Sequence, residues 1–246
     1  MMIKTHLLIM TTTQKQRIMN IDVKITTQKE EIKPIKTEKL LGIHIKDDLK
    51  WAEYIQNNDK SLLKQLSSRL NALKMISWVA SFRIRLMIAN GIFCSKLIFQ
   101  ISLWGGTEDY LLQALQVVQN KAARFVARRG KYTKVEDLLS QCGWLSVRQL
   151  VFYHSVILIH KTMLTAHPKY IYSKLSSQFP YNTRLAESDR VRMGPACMSK
   201  LEITEKSFMN RSTVSYNKLP SELRKISRVE VFKKKLKAWV QKNIKV

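Results

Sequence analysis

Two adjacent carboxylates, Asp47 and Asp48, form the only Asp-Asp pair in the 246-residue sequence. Paired carboxylates can hold the divalent metal ions that activate a hydroxyl nucleophile and stabilise a leaving phosphate. The pair follows Ile45-Lys46 at the end of a short apolar run, where either carboxylate could instead cap the next segment. We interpret Asp47-Asp48 as part of a turn and not as a metal site. No residue of the chain is predicted to be catalytic or to bind a metal.

The other residue types that perform chemistry do not form a recognisable site. Cys94, Cys142 and Cys197 are odd in number and lack C-x-x-C spacing, which favours free thiols in a reducing compartment. His154 and His160 are six residues apart, a spacing that does not stack two ligands on one helical face. The sequence has no phosphate-binding glycine loop and no G-x-S-x-G elbow. These observations weigh against a self-contained enzyme.

Charge is the strongest functional signal in the composition. Lys and Arg number 43 against 18 Asp and Glu, a formal net charge of +25 with neutral histidine. Self-repulsion of that size favours a polyanionic partner, either nucleic acid or an anionic membrane surface. The sequence shows no 18-residue uncharged apolar run and no long signal-peptide core. We therefore expect an intracellular protein of the nucleus or cytoplasm, not secreted and without a membrane span.

The candidate nucleic-acid contacts are basic residues that accompany three predicted helices. Phosphate contacts need Lys and Arg but no base code, so binding is expected to depend steeply on salt and hardly on sequence. Each basic run could equally be a solvated helix face, and part of the middle cluster suits the negative end of a helix dipole. The candidates are Lys60, Lys64, Arg69, Lys74, Lys121, Arg124, Arg128, Arg129, Lys131, Lys233, Lys234 and Lys237. Four tyrosines near basic residues could stack on bases, although we expect most of them to anchor loops or pack in the core: Tyr132, Tyr170, Tyr172 and Tyr181.

The elements that position these residues change in character near residue 50. Short β-type runs come first, at Leu7–Met10, Ile21–Ile25 and Leu40–Ile45. After Trp51 the apolar spacing is helical. The predicted buried stripes are Leu62, Leu66, Leu70 and Leu73, then Leu111, Leu115, Val118, Ala122 and Phe125, and finally Phe232, Leu236 and Trp239 or Val240.

Local signals mark where these helices begin and end. Asp59, Ser81 and Ser146 are predicted N-caps. Thr133-x-x-Glu136 and Ser227-x-x-Glu230 are predicted capping boxes. The stretch from Phe82 to Trp104 is apolar enough to predict a buried helix. Gly143 interrupts the helical pattern. Residues 168–200 show no clear period of apolar residues and are predicted to form a long loop or arm.

Six segments of the sequence follow one another in a familiar order. They are Lys39–Trp51 (KLLGIHIKDDLKW), Ser102–Gly105 (SLWG), Leu115–Arg124 (LQVVQNKAAR), Cys142–Val147 (CGWLSV), Ser207-Phe208 with Tyr216–Pro220 (YNKLP), and Phe232-Lys233. In this order they resemble the region after the catalytic palm in reverse transcriptases of non-LTR retrotransposons, of the jockey-like kind. Lys4-Thr5 also fits the family's last palm strand. The chain departs from the family at Tyr216, where Trp is usual, and at Cys142, where Leu is common.

The resemblance implies an α+β, mostly α fold. Its parts would be a small remnant of the palm sheet with the LG turn (1–50), a helical thumb-like domain (51–167), and a basic C-terminal module with a long loop and a terminal Lys-rich helix (168–246). Leu41 and Gly42 would correspond to a primer-grip-like turn. The intact family enzyme uses Mg²⁺ on palm aspartates. Asp47-Asp48 lies downstream of that position and lacks the preceding aromatic, so no cofactor is expected for this chain.

Three functions follow as hypotheses. The first is a fragment of an RNA-directed DNA polymerase that grips an RNA or DNA duplex without sequence preference and does not polymerise, with the missing palm region as a further candidate partner. The second is a non-functional relic of a truncated transposon reading frame, which would show no protection from proteolysis. The third is a basic amphipathic membrane-surface protein, which rests on the last Lys-rich helix.

Overall fold

The computed structural model describes residues 6–11, 15, 25–26, 31–75, 80–176, 191–193 and 202–244. Lys4, Thr5, Tyr181, Cys197 and residues 21–24 of the second β-type run lie outside the described residues. The fold is α+β and mostly α, which confirms the predicted class. The chain divides into two compact units, Met1–Gln65 and Leu66–Val246. The finer division at 1–50, 51–167 and 168–246 stays a prediction.

The described strands are short and pair in twos. One pair is parallel: β1 (Leu7–Leu8) with β4 (Pro34–Ile35). The other three pairs are antiparallel: β2 (Ile25–Thr26) with β3 (Glu31–Ile32), β5 (Thr37–Leu40) with β6 (Ile43–Lys46), and β7 (Leu175–Ser176) with β8 (Arg192–Met193). Pro34 has no N–H to donate, which suits a strand of a two-stranded pair and would not suit a central strand.

The β-type run Leu40–Ile45 is not one continuous strand, because it reverses at Leu41-Gly42, where the resemblance implied a turn. Leu40 pairs with Ile43, and the two-residue turn between them is Leu41-Gly42. Both turn residues have positive φ, 48° at Leu41 and 85° at Gly42. This is the backbone of a type I′ hairpin turn, whose twist matches that of the flanking strands.

In the first unit, buried apolar residues lie where the hairpin contacts the segment that follows it. Ile43 of β6 is buried, and β6 contacts the π-helical segment Glu53–Asn57. Tyr54 and Ile55 of that segment are buried as well. Burial raises the pKa of the Tyr54 hydroxyl to about 12.

Helices make up most of the rest of the chain. They are α1 (Leu62–Met75), α2 (Phe82–Ala89), α3 (Ser95–Ile98), α4 (Ile101–Trp104), α5 (Asp109–Ala127), α6 (Val135–Cys142), α7 (Val147–Thr165), α8 (Lys169–Tyr172), α9 (Glu202–Lys206), α10 (Phe208–Asn217), α11 (Ser221–Arg224) and α12 (Val229–Asn243). The π-helical segment Asn90–Cys94 joins α2 to α3. Helix α7 contacts α4, α5, α10 and α12, which makes it the central helix of the second unit.

The predicted apolar stripes are confirmed with two changes. All four leucines of α1 are buried, and in α12 the inward residues are Phe232, Leu236 and Val240. Trp239 is partly buried and stacks on Phe152, with ring centroids 5.8 Å apart. In α5 the last buried position is Val126 and not Phe125.

Two predicted N-caps occupy the expected position, but only one makes a capping bond. Ser146 forms a capping box with Gln149: the Gln149 N–H donates to Ser146 Oγ, and the Ser146 N–H donates to Gln149 Oε1 at 3.0 Å. Ser81 precedes α2 but makes no side-chain cap bond. Asp59 does not cap α1, because its carboxylate accepts a hydrogen bond from the Lys64 ammonium at 2.9 Å.

Both predicted Ser/Thr-x-x-Glu boxes are wrong by one residue. The N-cap of α6 is Lys134 and that of α12 is Arg228, and neither makes a side-chain cap bond. Thr133 and Ser227 therefore lie one residue outside the helices they were predicted to cap. A capping side chain must accept from the N–H two or three residues ahead, so an offset of one residue removes the bond.

The stretch from Phe82 to Trp104 is buried on one face only, so the prediction of a buried helix is half right. Arg85, Ala89, Phe93 and Leu97 point inward. The exposed apolar side chains of this stretch are Ile84, Met87, Ile92, Phe99 and Leu103. Within the described ranges no single helix has the length and apolar character of a membrane span, although α6 and α7, bent by 46°, meet those criteria as a pair.

Candidate nucleic-acid interface

Five of the predicted basic residues lie at the carboxyl end of α5. Lys121, Arg124 and Arg128 recur at spacings of three and four residues, which places them along one face of the helix. Arg129 and Lys131 follow in the loop to α6. Arg124 is half-buried and the other four are exposed. We call these five residues the α5-end cluster.

A Schellman motif fixes the end of the helix within this cluster. The Arg129 N–H donates to the Arg124 carbonyl at 3.1 Å, and the Arg128 N–H donates to the Phe125 carbonyl at 3.3 Å. Arg128 has φ 50° and ψ 45°, the left-handed conformation for which glycine is usual. An arginine in this strained position is a reason to look for a functional use of its charge.

A buried arginine, Arg85, forms a hydrogen bond to the last turn of the same helix. The Arg85 guanidinium donates from Nε to the Val126 carbonyl at 3.0 Å and from Nη1 to the Ala80 carbonyl at 2.6 Å. A cation at this place also suits the partial negative charge of the helix C-terminus. Burial lowers the pKa of Arg85, and the nearby charge of Arg128 lowers it further. Arg85 was not among the predicted residues, because only the tertiary structure shows that it reaches α5.

The conformation of Arg128 predicts an unusual ranking of two substitutions. We expect Arg128→Gly to be about 1 kcal/mol more stable than Arg128→Ala, because both remove the charge and only glycine adopts positive φ without a Cβ penalty. The measurement is urea unfolding of both variants. Arg129→Gly and Arg129→Ala are the matched pair, since Arg129 has no positive φ and alanine is expected to be the better residue there. Equal stability of the two Arg128 variants would contradict the prediction.

Three exposed members of the α5-end cluster, Lys121, Arg129 and Lys131, lie apart from the acidic side chains that the structure describes. Among the described residues, no carboxylate lies within ion-pair distance of Lys121, Arg129 or Lys131. The described ion pairs instead involve His6, Lys46, Lys64, Arg148, Lys206 and Lys233. The nearest acids along the chain are Glu136 and Asp137, both exposed in the first turn of α6. Lys121, Arg129 and Lys131 therefore present positive charge to solvent with no acidic partner among the described residues.

The other predicted basic residues are not gathered into one place. Lys60, Lys64 and Lys74 are exposed along or beside α1, and Lys64 is paired with Asp59. On α12, Lys234 is exposed, while Lys233 pairs with Glu230 at 3.2 Å. These residues stay candidates, with two of them partly neutralised.

Two predicted basic residues have structural partners. Arg69 Nη1 donates to the Ile92 carbonyl, which ties α1 to the π-helical segment after α2. Lys237 Nζ donates to the Gly143 carbonyl at 2.8 Å, where α6 ends. Gly143 has φ 65° and closes that helix with a second Schellman motif. Phosphate binding by Arg69 or Lys237 would have to compete with these bonds.

The predicted primer-grip-like residues lie at the tip of the β5–β6 hairpin. Leu41 is 79% exposed, and Gly42 is exposed beside it. Beyond the hairpin, Asp48 accepts hydrogen bonds from Lys46 Nζ at 2.8 Å and from the Lys50 N–H at 3.0 Å. Burial alone would raise the pKa of Asp48, but these bonds lower it. The Asp48 carboxylate therefore stabilises a turn after β6, as predicted.

Among the described thiols and histidines of the second unit, Cys142 and His160 are buried and Cys94 and His154 are half-buried. Burial raises the pKa of Cys94 to about 12 and that of Cys142 to about 11, so both are inert thiols at neutral pH. Burial also lowers the pKa of His154 and of His160. Across the described ranges, no three His, Cys, Asp or Glu side chains are grouped as metal ligands.

The three candidate tyrosines that the structure describes are exposed and do not follow the expectation of loop anchoring or core packing. Tyr132 is 94% exposed, Tyr170 is 70% exposed, and Tyr172 is also exposed. Tyr132 lies in the loop that holds part of the α5-end cluster. Its exposure leaves base stacking, the other role considered for these tyrosines, as a prediction.

Some polar side chains within the six segments that carry the resemblance form hydrogen bonds to backbone groups of the second unit. Gln119 Nε2 donates to the Leu145 carbonyl at 2.8 Å, and Trp104 Nε1 donates to the Phe99 carbonyl at 2.9 Å. Asn217 exchanges two hydrogen bonds with the backbone of Val191, at 2.7 and 2.9 Å. These side chains satisfy backbone groups that the helices leave open.

No protein-family model matches the chain, and no match was found among curated proteins or solved structures.

Proposed function

We propose that this chain binds nucleic acid through the phosphate backbone, as the gripping region of a protein that resembles non-LTR retrotransposon reverse transcriptases. The observation that supports this most directly is the α5-end cluster, where Lys121, Arg129 and Lys131 are exposed at or just beyond a fixed helix end and have no acidic partner among the described residues. The net charge of +25 supplies long-range attraction for the same kind of ligand.

The expected mode of binding follows from the chemistry of the cluster. Lys and Arg neutralise phosphates and release condensed counterions, so affinity falls steeply as salt rises. Such contacts fix the position of a strand but do not select its sequence. A duplex of RNA or DNA presents regularly spaced phosphates to a helix end of this kind.

The proposal assigns binding to this chain and not polymerisation. Asp48 accepts hydrogen bonds from Lys46 and Lys50 within a turn, which leaves the Asp47-Asp48 pair a poor candidate for the two-metal chemistry of nucleotide transfer. The Mg²⁺ of the intact family enzyme would therefore be held by residues other than these.

The alternative of a membrane-surface protein rests on α12, and the packing of that helix disfavours it. Phe232, Leu236 and Val240 are fully buried, and α12 contacts α7. An interfacial helix needs its apolar face free to enter the lipid boundary. The lysines of α12 remain available for phosphate, but its apolar stripe does not remain available for lipid.

Neutralising three exposed cations of the α5-end cluster tests the proposal. We expect the Lys121, Arg129 and Lys131→Gln triple variant to bind duplex DNA more weakly. The slope of log affinity against log salt should fall by about 2–3, since each lost phosphate contact removes roughly 0.9. The measurement is fluorescence anisotropy of a labelled duplex at several salt concentrations.

A matched variant separates local contacts from net charge. Lys161, Lys169 and Lys218 are exposed and lie outside the predicted set, so changing all three to Gln removes the same charge elsewhere. This control is expected to keep most of the salt slope of the unmodified protein. If both triple variants lost the same amount of affinity for duplex DNA, the net charge of the protein would attract DNA without a localised binding site. If the affinity of the unmodified protein did not depend on salt, the proposal would be overturned.

A further inference from the structure

The loop between α5 and α6 presents one aromatic ring among several cations. Residues 128–134 have the sequence RRGKYTK, in which Tyr132 is the only aromatic residue. Its exposed fraction, 94%, is the largest among the large hydrophobic side chains of the described part of the chain. The ring therefore makes almost no contact with the fold, and packing does not explain its position.

The backbone of this loop is held at both ends. The Schellman motif at Arg128 and Arg129 fixes its start. The Thr133 N–H donates to the Gly130 carbonyl at 3.3 Å, which closes a turn with Lys131 and Tyr132 at its two central positions. Turn and motif together present Tyr132 at the tip of a loop between two helices.

An aromatic ring beside cations has the chemistry of a single-strand binding site. Bases stack on exposed aromatic side chains, while neighbouring Lys and Arg contact the phosphates on either side. The faces of bases inside a duplex are already covered by neighbouring base pairs. A ring at a loop tip can therefore stack on an unpaired base but not on a base pair inside the duplex.

We propose that Tyr132 stacks on an unpaired base of a bound nucleic acid, with Arg129 and Lys131 contacting the adjacent phosphates. This inference rests on the proposed function and sharpens it, since it adds the junction between duplex and single strand to the ligand. Glu136 and Asp137, exposed in the first turn of α6, limit the cationic surface on the other side of the loop.

The test compares two DNA ligands with equal numbers of phosphates, a blunt duplex and a duplex with a single-stranded overhang that contains 2-aminopurine. We expect the unmodified protein to prefer the overhang and to quench its fluorescence. Tyr132→Ala is expected to bind the overhang about 5- to 150-fold more weakly, the range given by loss of one stacked base. Its affinity for the blunt duplex should change less than about twofold, because the cations remain.

Two further variants assign the effect to the ring at this position. Tyr132→Phe should keep both the preference and the quenching, because stacking needs the ring and not the hydroxyl. Tyr110→Ala is the matched control: Tyr110 is 60% exposed at the opposite end of α5, beside Glu108 and Asp109. It should behave like the unmodified protein. Circular dichroism of each variant checks that the helices are intact.

The outcomes distinguish this inference from the function on which it rests. If the unmodified protein binds both ligands with a steep salt dependence and Tyr132→Ala keeps the overhang preference and the quenching, the stacking role is overturned and backbone binding stands. Loss of the preference in Tyr110→Ala to the same extent would also overturn it. If no ligand is bound in a salt-dependent manner, both proposals fail.

Discussion

Replacing Gly106 with alanine is expected to destabilise the second unit by about 2–4 kcal/mol, one of the largest effects of a single methyl group in this protein. A Cβ at this position would overlap the carbonyl oxygen of Lys206 and lie 3.2 Å from its carbonyl carbon. The obstacle is backbone, so no side-chain rotation can relieve it.

Two contacts beside Gly106 would be disturbed by the same displacement. Lys206 Nζ donates to Glu108 Oε2 at 2.7 Å, and Arg211 Nη2 donates to the Ser102 carbonyl at 2.7 Å. Both join the segment before α5 to α9 and α10. Moving α9 outward to admit a methyl group would lengthen both bonds and expose the half-buried guanidinium of Arg211.

Thermal and urea unfolding measure the effect of Gly106→Ala. Gly91→Ala is the matched control, because Gly91 lies in the helical run after α2 and an added Cβ would meet nothing within 4 Å. That variant is expected to gain up to about 1 kcal/mol from helix propensity. If Gly106→Ala proved as stable as Gly91→Ala, the close approach of Lys206 to Gly106 would be refuted.

Replacing His160 with alanine is expected to cost about 3 kcal/mol, because the imidazole is buried and uses both nitrogens. Nε2 faces the Ile226 carbonyl at 2.8 Å, and a carbonyl oxygen can only accept, so this nitrogen holds the proton. Nδ1 then accepts from the Tyr216 hydroxyl at 3.2 Å. The ring also stacks on Phe232, with centroids 3.6 Å apart.

The same imidazole makes stability depend on pH. Burial lowers the pKa of His160 below its ordinary value of 6.5, partly opposed by the hydrogen bond to Ile226. The unfolded chain therefore takes up a proton more readily than the folded one. Stability from this group is complete above pH 6.5 and is lost as pH falls below 6.5 towards the lowered pKa of the folded state. Burial of His154 acts in the same direction.

Urea unfolding between pH 5 and 8 tests the role of His160. His160→Phe keeps an aromatic ring against Phe232 but cannot titrate, so it should be less stable at pH 8 and lose less stability on acidification. His167→Gln is the control, since His167 is exposed and its substitution should leave the pH profile unchanged. An unaltered acid dependence in His160→Phe would exclude His160 as its source.

Several elements could be predicted from neighbouring residues alone. The leucines of α1 and the Phe232, Leu236 and Val240 stripe of α12 are buried as their spacing predicts. Ser146 begins α7 and Gly143 ends α6. These features depend on helical periodicity and on conformational preferences that act over a few residues, so the sequence contains the relevant information.

Other features depend on how distant segments meet. The capping boxes at Thr133 and Ser227 fail because the helices α6 and α12 begin one residue later than their Ser/Thr-x-x-Glu patterns predict. In the same way, the role of a cation depends on what faces it. Lys237 is drawn to the Gly143 carbonyl, 94 residues away in sequence, while Lys131 meets no described acid.

The sequence by itself determined that this protein is mostly helical and strongly basic. Only the tertiary structure decided which of its cations are available. It buried Arg85 against the Val126 carbonyl 41 residues away, and it left Tyr132 exposed between Arg129 and Lys134. The physical reason is that helix formation is governed by local spacing, whereas burial and neutralisation of a charge are set by groups that folding brings from elsewhere in the chain.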